Sequence, residues 1–378
     1  MKFLHFADLH LDMPFNSSGL AVQKAHLRRR DVMDTFFRII EIANAEKVDA
    51  ILICGDLFEH DYVKKSTISL VNDAFMGIPH IKVFIVPGNH DPYIPNSFYS
   101  NFMWSRNVNI FTKDLKYFTI PEQDACLYGV GFGNFYEEKS LIFDLGNVDP
   151  SKINIFMTHG TVDMNFGKSM YNPMSGIELA GLGMDYTAIG HFHKRFESYS
   201  NIYNPGSPEP LGFDEISEHG VFVVEIIKNK GSEKKLDVKF IETGIKTYET
   251  YTVSIDGCEN DRQAYEKIMQ GISTMKAENK LLRITLKGYL PRGNTIDPGK
   301  IKNILSEDFF HVKLIDETQD ALNFGELASE YGLKGAFARK MMKKIEAAGD
   351  ENERRLLLKA LHFGLEALET GNISIIGE

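Results

Sequence analysis

Histidine, aspartate and asparagine recur in five short clusters: Asp8-Leu9-His10, Gly55-Asp56-Leu57-Phe58, Gly88-Asn89-His90-Asp91, Thr158-His159-Gly160 and Gly190-His191-Phe192-His193. Each follows an apolar run. In an open sheet the strand ends on one edge converge, so side chains far apart in sequence can meet in one crevice. The pooled carboxylate, amide and imidazole groups form a donor set that suits manganese, iron or zinc better than calcium. Taken singly, each residue has a plainer role: Asp8 or Asp56 could cap a loop, Asn89 could hold a turn, and His159 could be a satisfied core histidine. Taken jointly those roles fail, because so many polar groups crowded at strand ends without cations would be costly to desolvate.

Residues i and i+2 of a strand point the same way, which pairs Asp8 with His10 and His191 with His193. Glycines at 55, 88, 160 and 190 allow sharp strand-to-loop turns and close approach of the backbone to an ion or a phosphate.

The elements that must position these clusters are legible as short apolar strands at Lys2 to Phe6, Ala50 to Cys54, Ile81 to Val86, Ile153 to Met157, Tyr186 to Ile189, Val221 to Ile227 and Leu236 to Ile241. Helical stretches lie between several of them, an α/β layered pattern. Helical periodicity is clearest from Ala25 to Glu46, where Val32, Phe36, Ile39, Ile40 and Ala43 share one face. From Gly244 the pattern becomes a small βαβαβ unit: a strand at Tyr248 to Ile255, a helix from Asp261 to Met275, a strand at Leu281 to Lys287, a helix from Pro298 and a strand at His311 to Ile315. From Phe324 two helices follow, separated at Gly349-Asp350; the first carries Phe337, Met341, Met342 and Ile345, and the second Leu357, Leu361, Leu365 and Leu368 at helical spacing. The expected division is 1–244, 245–316 and 317–378.

With 378 residues, the chain exceeds one average core, since roughly 150 residues per domain is typical. No apolar run approaches the roughly 20 residues needed to span a bilayer. The N-terminal run is broken by Asp8, His10 and Asp12 before it could serve as a signal peptide, so the expected place is the cytoplasm. Cys54, Cys126 and Cys258 show neither disulfide nor zinc spacing and read as small buried or half-buried residues. A net charge of -10 argues against a general nucleic-acid binder, unless the negative charge is concentrated where divalent cations reverse the local field. Arg28-Arg29-Arg30, the densest basic run, reads equally as a solvated helix face or a phosphate contact.

Together the five clusters resemble the calcineurin-like metallophosphoesterase superfamily, whose pattern is DxH, GDxx, GNHD or GNHE, a separate His, and GHxH. The resemblance implies a four-layer α/β/β/α sandwich, here with a small α/β cap and C-terminal helices, around two divalent metal ions. By that resemblance Asp8, His10 and His193 bind the first metal, Asn89, His159 and His191 the second, and Asp56 bridges both. His90 binds no metal and serves the leaving group as general acid. Glu59, three residues after Asp56, is either the partner of His90 or a surface residue; many SbcD-type nucleases have a histidine at this offset. His60 has no assigned role.

The opening Phe3-Leu4-His5-Phe6-Ala7-Asp8-Leu9-His10-Leu11 and the segment Tyr203-Asn204-Pro205-Gly206-Ser207 resemble the SbcD-type DNA repair nucleases, and the chain looks most like their YhaO-like bacterial branch. That likeness implies a manganese-dependent DNA nuclease, with iron or zinc as alternatives, working with an SMC-like ATPase subunit of the SbcC type. A homodimer is compatible with it, and no membrane partner is expected. Pro210 and Leu211 stand where many members have an arginine, which weakens any DNA contact from that loop. Two other readings stay open: a phosphomonoesterase on a small molecule or protein, and a scaffolding subunit with a vestigial metal site.

Overall fold

The computed structural model describes residues 1–15, 19–114, 117–142, 145–146, 148–163, 171–228, 234–272, 277–291, 296–320 and 324–371. In chain order the elements are β1 (Lys2–Phe6), α1 (Val22–Ala45), β2 (Ala50–Cys54), α2 (Lys65–Met76), β3 (Lys82–Val86), α3 (Phe98–Asn101), β4 (Val108–Ile110), β5 (Tyr117–Ile120), β6 (Ala125–Val130), β7 (Ile153–His159), α4 (Gly176–Ala180), β8 (Tyr186–Gly190), β9 (Phe196–Ser198), β10 (Ile202–Asn204), β11 (Gly220–Ile227) and β12 (Lys235–Glu242). They are followed by β13 (Thr247–Ser254), α5 (Asp261–Gly271), β14 (Ala277–Leu290), α6 (Pro298–Leu305), β15 (Phe309–Asp320), α7 (Phe324–Ser329), α8 (Leu333–Glu346) and α9 (Glu351–Thr370).

Two six-stranded sheets carry the first unit, in the orders β12-β11-β1-β2-β3-β4 and β5-β6-β7-β8-β10-β9. Strands β1 to β4 are parallel, and so are β6, β7, β8 and β10, so the C-terminal ends of each parallel set lie on one edge. Alternation sorts the side chains. Phe3, Ala50, Leu52, Phe84 and Val86 meet Leu127, Ile155, Met157, Tyr186 and Ala188 between the sheets. Leu4, Phe6, Ile51, Ile53, Val83 and Ile85 face Val32, Phe36 and Ile39 of α1 and Ile68, Val71 and Phe75 of α2. The outer face of the second sheet, through Tyr128, Phe156 and Ile189, packs on Leu179 of α4 and on Val162, Met174 and Met184. This is the α/β/β/α arrangement, with a fourth layer that has only one short helix among the described residues.

By chain contacts the molecule divides into one unit of residues 1–250, 277–282 and 309–311 and a second of residues 251–276, 283–308 and 312–378. Strands β13, β14 and β15 form a three-stranded sheet. The helix expected to run to Met275 is described to Gly271, and residues 273–276 lie outside the described residues. Among the described residues the C-terminal segment has three helices rather than two, because α7 forms ahead of α8. Leu361 and Leu365 of α9 are buried against Leu327, Phe337, Ala338, Met341 and Ile345, so part of the leucine stripe is used within this segment, while Leu368 is exposed.

Several expectations need correction. Arg28 is neither a solvated residue nor a phosphate contact: it is fully buried, paired with Glu209 at 2.7 Å and Asp31 at 2.8 Å. A buried guanidinium needs such partners to offset its lost hydration. By contrast, all three cysteines are buried and free, in agreement with their spacing. The strands β4, β5, β6, β9 and β10 have no counterpart among the expected elements. Strands β4, β5, β9 and β10 are only three or four residues long and give little periodic signal, whereas β6, a fully buried six-residue strand, is simply missed. Asp8 and His10 are not paired by strand alternation, because β1 ends at Phe6 and both residues adopt positive φ, 56° and 51°.

Candidate metal centre

The five clusters fall at the ends of β1, β2, β3, β7 and β8, and their side chains come together. The local backbone is unusual there. Asp56 (φ 52°) and His191 (φ 109°) join Asp8 and His10 in the positive region that non-glycine residues rarely adopt. Glycine is required beside them for space: a Cβ on Gly190 would collide with the Cys54 carbonyl, and one on Gly88 with the Asp56 carboxylate.

Three groups of side chains could each hold a cation, with their ligand atoms within 4.8 Å of one another: Asp8, His10 and His193; His10, Asp56 and His90; and Asp56, His159 and His191. Asn89 completes the last, its Oδ1 lying 3.0 Å from His159 Nε2 and 3.2 Å from His191 Nδ1. Asp56 belongs to both sides, with Oδ2 3.2 Å from His159 Nε2 and 3.8 Å from His10 Nε2.

The imidazole partners test whether cations fit. His10 Nδ1 donates to Glu59 Oε1 at 2.8 Å and His193 Nδ1 to Glu215 Oε1 at 2.6 Å, yet their two Nε2 atoms face each other at 3.2 Å. His159 Nδ1 donates to the Cys54 carbonyl at 2.8 Å while its Nε2 faces the oxygens of Asn89 and Asp56. A neutral imidazole that donates through Nδ1 has only a lone pair at Nε2. Acceptors therefore point at acceptors, and only protons or metal ions can lie between them.

Protonation of the bare side chains leads to the same conclusion. Burial disfavours a charged His159, but Asp56 beside it outweighs this and raises its pKa to about 9; for His193 the Glu215 hydrogen bond does the same, also to about 9. Burial and its cationic neighbour His159 hold His191 down to about 3. Asp8 is raised by burial, whereas Asp56, though buried, is held well below the usual carboxylate range by His159. Divalent cations would take the place of those protons, since imidazole ligands bind metal in the neutral form.

His90 sits at the mouth, its side chain 45% exposed, with Nδ1 donating to Glu59 Oε2 at 3.1 Å. Glu59 thus holds His10 through one oxygen and His90 through the other, and its side chain is only 14% exposed. Burial works against a charged His90, and Glu59 and Asp56 override it to raise the pKa to about 9.

Three supports have roles that sequence reasoning leaves unassigned: Asp91 and Asn204 sit inside motifs quoted above, and Glu215 sits in none. Glu215 follows His193 by 22 residues with no motif between them, and besides His193 it accepts from Ser207 Oγ and the Leu211 amide. Asp91, the last residue of its cluster, is buried and accepts from the amides of Asp56, Leu57, Phe58 and Gly88 and from the Tyr99 hydroxyl, joining two of the turns. Asn204 donates to the carbonyls of Phe192 and Lys194, and the Ser207 amide to that of His193, so the 203–207 segment cradles the last cluster. Ser207, Glu209, Pro210 and Leu211 are buried.

Residues 1–195 match the family of calcineurin-like phosphoesterases. The chain belongs to that family. Members use a dinuclear metal site, and the aspartates and histidines gathered here could bind metal. The chain is 24% identical over 359 residues to the uncharacterized metallophosphoesterase YhaO of Bacillus subtilis, covering 88% of this chain and 85% of that protein. It is 26% identical over 275 residues to the D component of the SbcCD nuclease of Staphylococcus saprophyticus, covering 63% of this chain and 69% of the relative. The DNA double-strand break repair protein Mre11 of Sulfolobus acidocaldarius is 25% identical over 316 residues, 77% and 76% of the two chains. No helix among the described residues is long and apolar enough to cross a membrane.

Proposed function

We infer that this phosphoesterase is a manganese-dependent DNA nuclease. The observation that carries the phosphodiester chemistry is the sharing of Asp56 between two opposed acceptor groups, with His90 open to solvent beside them. Asp8, His10, His193 and Asp56 would hold one cation, and Asp56, Asn89, His159 and His191 the other. Two such ions, when bound, supply Lewis-acid stabilisation of a phosphate ester and acidify water. His90 presents a proton at Nε2 to the departing oxygen, and Glu59 fixes that ring by accepting from Nδ1. Asp91 and Asn204 keep the supporting turns in place.

The choice of DNA follows from likeness to relatives named as a nuclease component and a break repair protein. An SMC-like ATPase partner of the SbcC type, bound by the C-terminal helices in residues 317–378, a cap in residues 245–316 and a cytoplasmic place belong to the same reading. The acidic net charge of -10 favours a second reading, a phosphomonoesterase on a small molecule or protein. Side-by-side assays with single-stranded DNA, bis-p-nitrophenyl phosphate and p-nitrophenyl phosphate in Mn2+ decide between them. Cleavage of the DNA and the diester, with little of the monoester, is expected; turnover of the monoester alone would replace the nuclease by the phosphatase. Removing residues 324–378 is expected to abolish association with the ATPase and spare diester hydrolysis.

A further inference from the structure

Two cavities flank the metal centre and differ in the rings that line them. On the His193 side a cavity of about 390 Å³ is lined by His193, Lys194, Asp214, Glu215, Ile216 and Ser217, with no aromatic ring besides histidine among the described residues. On the His90 side a cleft of about 160 Å³ is lined by Glu59, Asp61, Asn89 and His90 and by the rings of His60, Phe135, Tyr136 and Tyr171. Among the described residues no lysine or arginine lines that second cleft, so it is unsuited to a further phosphate or an acidic peptide.

Its aromatic wall is held in place rather than draped. Tyr136 and Tyr171 lie with ring centres 6.1 Å apart, and Phe135 and His60 5.5 Å apart. The backbone beside them is fixed by the bridge between Glu137 and Tyr171 and by the Asn172 amide donating to the Glu137 carbonyl at 2.7 Å. The Glu137 side chain is buried and paired with Lys113 at 2.9 Å. Tyr136 is nevertheless 55% exposed, with its ring available to a ligand. Flat rings at a fixed distance from a phosphate site are the means by which single-stranded nucleic acids are held, since every base has a π face and stacking tolerates any sequence.

We propose that the cleft formed by Phe135, Tyr136, Tyr171 and His60 receives the nucleobase on the leaving-group side of the scissile phosphate. It rests on the nuclease reading above and adds where the substrate lies: His90 marks the departing oxygen, and these rings line the same cleft as His90. The substrate is thereby a strand with that base unstacked, single-stranded or frayed DNA in place of an intact duplex.

The test uses full-length protein with Mn2+ and short single-stranded oligodeoxynucleotides carrying one 2-aminopurine at successive positions, whose fluorescence is quenched on stacking. The His90→Asn background prevents turnover during binding. One position is expected to be quenched, with the quench lost in Tyr136→Ala and kept in Tyr136→Phe; with His90 intact, Tyr136→Ala should raise KM for single-stranded DNA about 10-fold, a typical cost of one lost base stack. Equal metal content in the variants shows that the fold is intact. DNA cleavage by the wild type with no position quenched overturns the cleft and leaves the nuclease reading standing. Quenching that depends on Tyr136 without any DNA cleavage upholds base binding and overturns the nuclease reading, and absence of both overturns both.

Discussion

His10 and His193 take their orientation from the side chains of Glu59 and Glu215, 2.8 and 2.6 Å away, whereas His159 takes its orientation from the Cys54 backbone carbonyl at 2.8 Å. One side of the cluster is therefore tethered by groups that substitution can remove, and the other by the chain itself at the end of β2. Carboxylate-tethered imidazoles are also the more basic ligands, because the acceptor stabilises positive charge on the ring. The side with carboxylates is the adjustable one, and it is also where Glu59 connects the cluster to His90. Asp56 joins the two sides.

That contrast is broken most severely at Asp56. Asp56→Ala, or chelation of the wild type, is expected to reduce diester hydrolysis to background, with elemental analysis finding neither ion; Mn2+ should restore the chelated wild type best. An Asp56→Ala protein that still carries two ions would show the sides to be independent. Next in size is His90→Ala, expected to lower turnover about 10²- to 10⁴-fold with both ions retained, as removal of a general acid does. Steady-state rates beside metal content check this, and loss of an ion would move His90 into the ligand set.

The adjustable side predicts a smaller and selective effect. Glu215→Ala should weaken one Mn2+ site about 10- to 100-fold and leave the other, since loss of an outer partner typically costs that much. Titration by calorimetry should then resolve two classes of site where the wild type has a tighter pair. Glu59→Gln should weaken the same site and also lower turnover, because it touches both His10 and His90. Equal weakening of both sites by Glu215→Ala would erase the distinction between side-chain and backbone tethers.

The smallest effect concerns His5, at the joint between the sheets. Its ring meets the Tyr186 hydroxyl at 3.0 Å and the Ile189 carbonyl at 3.2 Å, and burial lowers its pKa to about 3. An unfolded chain takes up this proton near pH 6.5 while the folded one refuses it. His5 therefore leaves stability intact above about pH 6.5, and stability declines as the pH falls from there toward 3. Between pH 7.5 and 5.5 the loss from His5 is about 1.4 kcal/mol. Urea midpoints of chelated wild type and His5→Gln at those two pH values should differ in pH dependence by that amount. An identical pH dependence would remove His5 from the acid response.

Much of the site is legible in the sequence because its residues are few in type and follow strands whose apolar runs are unmistakable. Strands β1 and β2 are legible to their end residues, and the buried face of α1 includes every residue its periodicity marks, with Ala25, Arg28 and Thr35 besides. Glu59 is legible only as an alternative. Its offset from Asp56 points to His90, but the second bond to His10 depends on how the turns after β1 and β2 pass each other. Arg28 misleads for a related reason: a basic triplet looks solvated unless its carboxylate partner Glu209, 181 residues away, is known.

By itself the order of residues determined which groups could gather, since a strand followed by a polar turn is a local property set by side-chain type. Only the tertiary structure decided how they are aimed. Positive φ at Asp8, His10, Asp56 and His191 replaces strand alternation as the device that points ligands inward. Such conformations cost energy and persist only where the surrounding packing fixes them. The choice of Glu215 and the Cys54 carbonyl as tethers, and of an aromatic wall beside His90, likewise arises from contacts between segments distant in the chain. Those contacts exist only once the two sheets have closed on each other.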